Sequence, residues 1–468
     1  MELNKKLVEF NNYLKDKKVA IIGLGVSNIP LIKYCFINKA NVTIFDSKDI
    51  TEIDKIILDT ILSYGMEFSF GKDYLSKLTG FDLIFRSPSC LPTTEELVKE
   101  SERGAIVTTE IEMLIKLCPG TVIGVTGSDG KTTTTTLIYE IIKASGRNCF
   151  LGGNIGIPLF TKLSEMTEED IVVLELSSFQ LMGMKVSPQI SVITNITPNH
   201  LDKHKNMEEY IEAKKNIFKF QKEDGVLIIN YDNEITREFE KESKGKVIYF
   251  SSKEKIPDGY IVDNQKIKYC ENDLRSHILD TRPMIIRGIH NFENSACAIS
   301  ATKELVDLEI ATNVILNFKG VEHRLELVKE TEDRIRWYND SVSSSPTRTI
   351  AGLNAFALRN IILIAGGYDK NLDYEVLAKP IVENCKTLIL LGQTTEKIDN
   401  AVLEELKKTK KKLEIYKCKT LRETVKLAKK LAIQGDVVLF SPASASFDMF
   451  KDFAERGELF KQYVDEVV

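Results

Sequence analysis

A glycine-rich turn between an apolar run at 121–125 and a helical pattern at 133–143 constrains this chain most. It reads Gly124-Val125-Thr126-Gly127-Ser128-Asp129-Gly130-Lys131-Thr132-Thr133-Thr134. A turn that leaves a strand and enters a helix gathers backbone N–H groups at the helix N-terminus, where the dipole also favours negative charge. Residues Gly127 to Thr134 are therefore the candidate phosphate cradle. Lys131 adds a cation for the β- and γ-phosphates, and Thr132 a hydroxyl for Mg²⁺. Val125 stands where the strict eight-residue pattern has its first glycine. The nucleotide expected is ATP, and the fold expected around such a turn is α/β.

The chain has 468 residues, enough for two to four domains. Its 43% hydrophobic and 28% charged content fits a globular protein with ample core. A net charge of −5, with basic residues spread along the chain, argues against nucleic acid as the main ligand. The run Lys408-Thr409-Lys410-Lys411-Lys412 reads as the solvated end of a helix. Eight cysteines occur singly, without a Cys-x-x-Cys pair, so neither zinc nor a disulfide framework is indicated. The start Met1-Glu2-Leu3-Asn4 lacks an apolar leader, and no apolar run reaches membrane-spanning length. The expectation is a cytoplasmic monomer with no membrane and no nucleic-acid partner.

Strand-like and helical patterns alternate almost throughout, as in parallel α/β sheets. Three groups emerge: a Rossmann-like domain at 1–107, a central ATP-binding domain at 108–320, and a C-terminal Rossmann-like α/β domain at 321–468. The first has strands at 18–22 and 41–45, joined by Gly23-x-Gly25-x-x-Asn28 and a helix, and ends in Asp46. That resembles a dinucleotide fingerprint without its third glycine. Some other nucleotide or phosphorylated ligand fits better than nicotinamide, which would leave the second phosphate loop unexplained. The second group has strands at 171–176, 190–194 and 225–230, then a mixed stretch at 232–286 expected to be antiparallel. The third has strands at 335–338, 361–365, 387–391 and 436–440.

Several polar clusters follow these strands. Glu175, in Glu175-Leu176-Ser177-Ser178-Phe179-Gln180, ends a strand where an ATP-binding sheet places a Mg²⁺ ligand. His200 and His204 stand four apart without the intervening Glu of a zinc pair; one His beside Mg²⁺ fits better, and His204 reads as structural or exposed. Lys214 and Lys215 lie on a helical segment, by default a solvated face. Asn291 and Asn294 offer amides for an adenine edge, although helix capping alone would explain Asn291. His323-Arg324, Asn339-Asp340-Ser341 and 365–370 are polar clusters where an Arg and a Lys could stabilise charge in phosphoryl transfer. Ser441-Pro442-Ala443-Ser444-Ala445-Ser446-Phe447-Asp448 is another candidate anion turn.

In this order these motifs, with Gly153-Asn154 between the first two, resemble the Mur ligases, three-domain ATP-dependent enzymes that form amide bonds in peptidoglycan synthesis. The closing Ser-Pro-Ala-Ser-Ala-Ser-Phe-Asp points within that family to the branch that adds D-glutamate to UDP-N-acetylmuramoyl-L-alanine through an acyl phosphate. The resemblance covers essentially the whole chain. It implies that Lys131 and its loop hold the ATP phosphates, and that Thr132 and Glu175 bind Mg²⁺. His200 would bind a second Mg²⁺ with Lys214, carbamylated on its amine; a cation-rich site favours the unprotonated lysine that CO₂ requires. It further implies that Asn154, Ser177 and Gln180 hold the muramoyl-alanine part, and Val26, Ser27 and Asp46 the uridine nucleotide. Asn291, Asn294, Arg324 and Asp340 would position ATP; Lys370, Ser446 and Phe453 would position D-glutamate.

Two positions depart from the family pattern. Val342 stands where many members have lysine, near the amino-acid site, and Ser89 replaces a glycine in the uridine-side loop Ser87-Pro88-Ser89. The Asp-Asn-Pro-Arg motif of the diaminopimelate-adding sister is absent. The rival expectations are another amide ligase of the superfamily and a nucleotide-binding regulatory protein that has lost catalysis. The retained Lys131, Glu175, His200 and Lys214 speak against the second.

Overall fold

Short runs of valine, isoleucine and leucine become central strands because helices cover both faces of a parallel sheet and bury every side chain. In β6 (Thr121–Thr126), β8 (Ile171–Glu175) and β17 (Ile361–Ala365) nearly every residue is buried. A computed structural model describes residues 4–198, 204–271, 274–356, 360–370, 372–409 and 411–468 of the chain. Among these residues the strands fall into three sheets.

The first sheet holds β1 (Lys18–Ile22), β2 (Asn41–Asp46), β3 (Glu67–Phe70), β4 (Leu83–Arg86) and β5 (Ile106–Thr108). All its pairings are parallel, in the order β3-β2-β1-β4-β5. The second adds β7 (Cys149–Gly153), β9 (Ile190–Ile193), β10 (Val226–Asn230), β11 (Lys246–Ser251), β12 (Asp258–Asp263), β13 (Lys266–Glu271) and β14 (Leu274–Asp280) to β6 and β8. Its order is β14-β13-β12-β11-β10-β9-β6-β8-β7. The stretch expected to be antiparallel is so only in part: β12 still pairs parallel with β11, and only β13 and β14 turn back. The third sheet holds β15 (Glu326–Glu330), β16 (Arg336–Asn339), β17, β18 (Cys385–Leu390), β19 (Glu414–Lys417) and β20 (Val437–Phe440). Its order is β15-β16-β20-β17-β18-β19, parallel except for the β15–β16 pair.

The chain divides into two compact units, Met1–Phe318 and Lys319–Val468. The first unit takes in two sheets because they share one apolar core. Phe160 stands at its centre, with the rings of Phe10, Tyr34 and Phe85 edge-on to it at 6.1, 5.1 and 6.1 Å. Edge-to-face packing of this kind adds to simple area burial. In the second unit Trp337, the only tryptophan of the sequence, is buried beside Phe460, which stacks on Phe440 at 4.6 Å. No helix among the described residues is long and apolar enough to cross a membrane.

The Phe160 backbone is itself fixed by a buried acid. Glu110, in the first turn of the helix Glu110–Leu117, accepts the Phe160 N–H at 3.0 Å. Burial pushes its carboxyl up from 4.5 to about 7, against the pull of the amides it accepts. A carboxyl that is harder to ionise folded than unfolded makes stability fall as pH rises, here between about 4.5 and 7. Glu110→Gln keeps a carbonyl oxygen for the Phe160 amide and removes the ionisation. Its unfolding free energy in urea should exceed the wild type's at pH 8, by up to roughly 3 kcal/mol, and match it at pH 4. Parallel pH dependence of the two proteins would show that Glu110 does not titrate in this range.

Candidate active site

The turn after β6 is shaped by two glycines that nothing else could replace. Gly127 and Gly130 have φ of +152° and +79°, and Gly130 caps the helix Lys131–Ala144 in the left-handed region. A Cβ at Gly127 would fall 1.9 Å from Thr194 Oγ1, and one at Gly130 would fall 2.5 Å from Asn294 Oδ1. The first helical bond of this turn runs from the Thr134 amide to the Gly130 carbonyl. The amides of Lys131, Thr132 and Thr133 thus precede any helix carbonyl that could take them.

The segment after β9 braces the turn from the side. Asn195 accepts the Asp129 amide at 2.9 Å and donates to the Asp129 carbonyl, and its own carbonyl takes the Ser128 amide. Ser128 Oγ lies 3.0 Å from the Tyr210 hydroxyl and donates to the Thr197 carbonyl. From the far side, Asn294 on the helix Ile289–Thr302 accepts from Thr134 Oγ1 at 3.2 Å, while Asn291 Nδ2 is held by the Arg287 carbonyl. Asn294 thus lies against the turn, with Asn291 one helical turn earlier on the same helix. Thr132 is buried at its base.

Two lysines converge on one backbone oxygen. Lys131 Nζ donates to the carbonyls of Gly127 and Ser128 at 2.8 and 2.9 Å. Lys214 Nζ donates to the same Gly127 carbonyl at 2.8 Å and to Thr126 Oγ1 at 3.2 Å, 4.8 Å from the Tyr210 ring centre. Lys214 is 1% exposed. Burial, with the Lys131 charge adding to it, holds its amine well below the ordinary lysine range. Lys215, one residue on, is half-buried and pairs with Glu212 and Glu242 at 2.8 and 2.7 Å. The helix Met207–Lys215 therefore sends adjacent lysines to opposite environments.

Glu175 ends β8 beside the turn, in register with Val125 on one side and Gly153 on the other. Its carboxylate is buried; Oε1 accepts Asn154 Nδ2 at 2.8 Å, and Oε2 has no hydrogen-bond donor among the described residues. A buried carboxylate oxygen left open in this way fits a hard cation such as Mg²⁺. Ser177 and Gln180 spend their side chains on each other as the capping box of the short helix Ser178–Leu181. His204 is buried, 2.9 Å from Ser178 Oγ and stacked on Phe179, so it packs this helix down. His200 lies outside the described residues.

In the first sheet the strand order reverses between β1 and β4, the crevice where open α/β sheets take ligands. Asp46 at the end of β2 accepts the amides of Leu24 and Lys48. Asn28, in place of the third glycine, is buried and donates to the carbonyls of Ile22 and Gly23, closing the turn on itself. Val26 is exposed at its tip and Ser27 half-buried. Across the crevice Ser87 and Ser89 join hydroxyls at 2.9 Å.

In the second unit Asp340 follows β16 and is buried. It accepts from Ser343 Oγ, Ser441 Oγ and the Leu325 amide at 2.6, 2.7 and 3.2 Å, and burial pushes its carboxyl up to about 6. These bonds knit the loops after β16 and β20 together. Arg324 sits half-buried between two residues with positive φ, His323 and Leu325. Lys370 is exposed with its amine 5.4 Å from the Phe447 ring centre, Ser446 is buried, and Phe453 opens the helix Phe453–Val467 beside His323. Arg456, unremarked in the sequence, is buried and donates to Ser341 and to the carbonyls of Ser444 and Ala445. Tyr210 was also missed, although it stands one helical turn before Lys214, where a shared face is expected.

Two sequence profiles match this chain: the Mur ligase middle domain over residues 125–302, and the Mur ligase glutamate ligase domain over 323–444. The protein named UDP-N-acetylmuramoylalanine--D-glutamate ligase from Acetivibrio thermocellus is 47% identical over 467 residues, covering 99% of this chain and 100% of its own. Its namesake from Clostridium tetani is 46% identical over 462 residues, covering 99% of each. Among solved structures, UDP-N-acetylmuramate-alanine ligase from Thermotoga maritima has a TM-score of 0.56 at 19% identity, covering 96% of this chain and 99% of that one. MurF ligase from the same organism, in complex with ADP, has a TM-score of 0.55 at 18% identity, covering 98% and 97%. At such identities the two structures bear on the fold alone. With near-half identity over its full length and two matching domains, the chain belongs to the Mur ligase family.

Proposed function

We infer that the protein is an ATP-dependent ligase that joins D-glutamate to UDP-N-acetylmuramoyl-L-alanine. The observation that carries this is the cluster of Lys131 with the buried Lys214 and Glu175 around the Gly127–Gly130 turn, in a chain whose full-length relatives bear that ligase's name. A carboxylate at neutral pH is a poor electrophile with no leaving group. Transfer of the γ-phosphoryl group to the alanine carboxylate gives an acyl phosphate; the amine of D-glutamate attacks its carbonyl, and phosphate leaves. Phosphoryl transfer asks of a protein chiefly positioning and charge stabilisation. Lys131 and the amides at the start of its helix suit that task. Thr132, Glu175, His200 and a carbamylated Lys214 are the groups proposed to hold Mg²⁺, which supplies charge neutralisation at the transferred phosphoryl group. Lys214 suits carbamylation because its burial favours the neutral amine: CO₂ adds to that nitrogen and one proton is released.

The remaining assignments follow the same reading. Val26, Ser27 and Asp46 serve the uridine nucleotide; Asn154, Ser177 and Gln180 the muramoyl-alanine part. Asn291, Asn294, Arg324 and Asp340 serve ATP, and Lys370, Ser446 and Phe453 the amino acid. The eight cysteines, all unpaired, suit work in a reducing cytoplasm, and we take the working form to be a monomer.

Purified protein given ATP, Mg²⁺ and the sugar-nucleotide should release phosphate with D-glutamate and little with L-glutamate or L-alanine. Equal release with all three would refute the acceptor assignment, and preference for another amino acid would point to a sister activity. Lys131→Ala and Glu175→Ala should each lower kcat by about 10²–10³-fold, as loss of preorganised charge commonly does, with unchanged far-ultraviolet dichroism. Near-normal turnover in either would remove that residue from the chemistry. Lys214→Ala should be inactive and partly restored by a short carboxylic acid in the medium, which supplies the missing anion. Lys215→Ala breaks pairings with Glu212 and Glu242 and a contact with the Phe239 ring, none of them on the turn, and should turn over normally. Lack of rescue, or equal loss in both variants, would count against carbamylation.

A further inference from the structure

Arg86 closes β4 and is 3% exposed, yet its described bonds all go to neutral oxygens. Nη1 donates to the carbonyls of Cys90 and Ser87 at 3.1 and 3.5 Å, and Nη2 to the carbonyl of Met182. Glu112, the carboxylate whose charge acts on it, is occupied by Thr108 Oγ1 at 2.9 Å and the Lys185 amide at 2.8 Å. Burying a cation without a bonded anion is costly, and simple packing would be served better by an apolar side chain.

The three acceptors belong to two separate loops. Ser87 and Cys90 flank the turn after the first sheet's β4, on the crevice beside β1. Met182 caps the C-terminus of the helix Ser178–Leu181, whose other end is the Ser177–Gln180 box beside Glu175. The junction is tight: a Cβ at Gly183, whose φ is +75°, would lie 3.0 Å from Pro92 and 3.7 Å from Arg86 Nη2. One guanidinium thus fastens the edge of the nucleotide crevice to the helix at the acyl end of the site.

We propose that Arg86 is a positioning residue for the sugar-nucleotide: it fixes the span between crevice and acyl site, and gives the diphosphate that crosses this span a positive field. This rests on the sugar-nucleotide reading above, and a binding measurement separates the two. Calorimetry with UDP-N-acetylmuramoyl-L-alanine should show Arg86→Met weakening Kd about tenfold or more, and Arg86→Lys by less, because the charge survives while the fork is lost. The Kd of a non-hydrolysable ATP analogue should stay within about twofold in both variants, which reports that the central loop is folded. Truncated N-acetylmuramoyl-L-alanine, lacking nucleotide and diphosphate, should show no difference between Arg86→Met and wild type in KM. Unchanged sugar-nucleotide Kd, equal losses for the full and truncated substrates, or a wild type without affinity for the sugar-nucleotide would each overturn the proposal. Tight wild-type binding without D-glutamate-dependent phosphate release would instead overturn the ligase reading and leave the role of Arg86 decided by the Kd values.

Discussion

Two lysine amines share one carbonyl oxygen, that of Gly127, and the turn around it is built to hold that arrangement. Like charges this close repel, and the repulsion grows as water is excluded. The protein relieves it by letting burial draw the proton affinity of Lys214 down, while Lys131 keeps two carbonyls of its own loop. Lys131 is therefore seated on the turn it belongs to. An incoming phosphate competes with neutral carbonyls for that cation, which is a contest an anion wins easily. The positive φ of Gly127 and Gly130, the Asn195 brace and the Asn294 contact all serve to aim those carbonyls inward.

The sequence disclosed the parts of this site that depend on local pattern. The strand–turn–helix with Gly127, Gly130 and Lys131 was legible because only glycine tolerates those backbone angles, and the apolar runs around it had strand length. The long parallel strands were legible for the same reason: β8 and β17 are near-continuous Val, Ile and Leu. Short strands such as β3, β5 and β19 were not, because three or four mixed residues carry no periodicity. Nor could pattern distinguish Lys214 from Lys215; the difference lies in which side of one helix meets the turn, a tertiary fact that entered only through family resemblance. Arg86 and Arg456 were invisible because arginine reads as surface, and their burial is set by loops far apart in sequence. The two-sheet core around Phe160 was likewise hidden, since a domain edge read from the grouping of strands and helices says nothing about the faces that adjoin across it.

The second unit solves a similar problem with opposite charges kept apart. Asp340 and Arg456 are both buried, one holding the loop after β16 to Ser441, the other holding Ser341 to the loop at 444–445. Burial pulls the Arg456 guanidinium down to about 10 and lifts the Asp340 carboxyl to about 6, so each charge is held at some cost. What is gained is rigidity in two turns that pattern alone marked only as polar. Val342 lies between these clamps, its carbonyl taking Arg348 Nη1 at 3.2 Å, so the position that departs from the family pattern still sits in a tightly held loop.

The single tryptophan gives this architecture a built-in reporter. Trp337 lies in the second unit alone, wedged against Phe460 with its indole N–H unpaired among the described residues. Its emission is blind to the first unit, where only tyrosine and phenylalanine absorb. Helical dichroism, by contrast, sums over both. The separation between a fluorescence melt and a dichroism melt is thus a direct reading of how independently the two halves of this chain come apart.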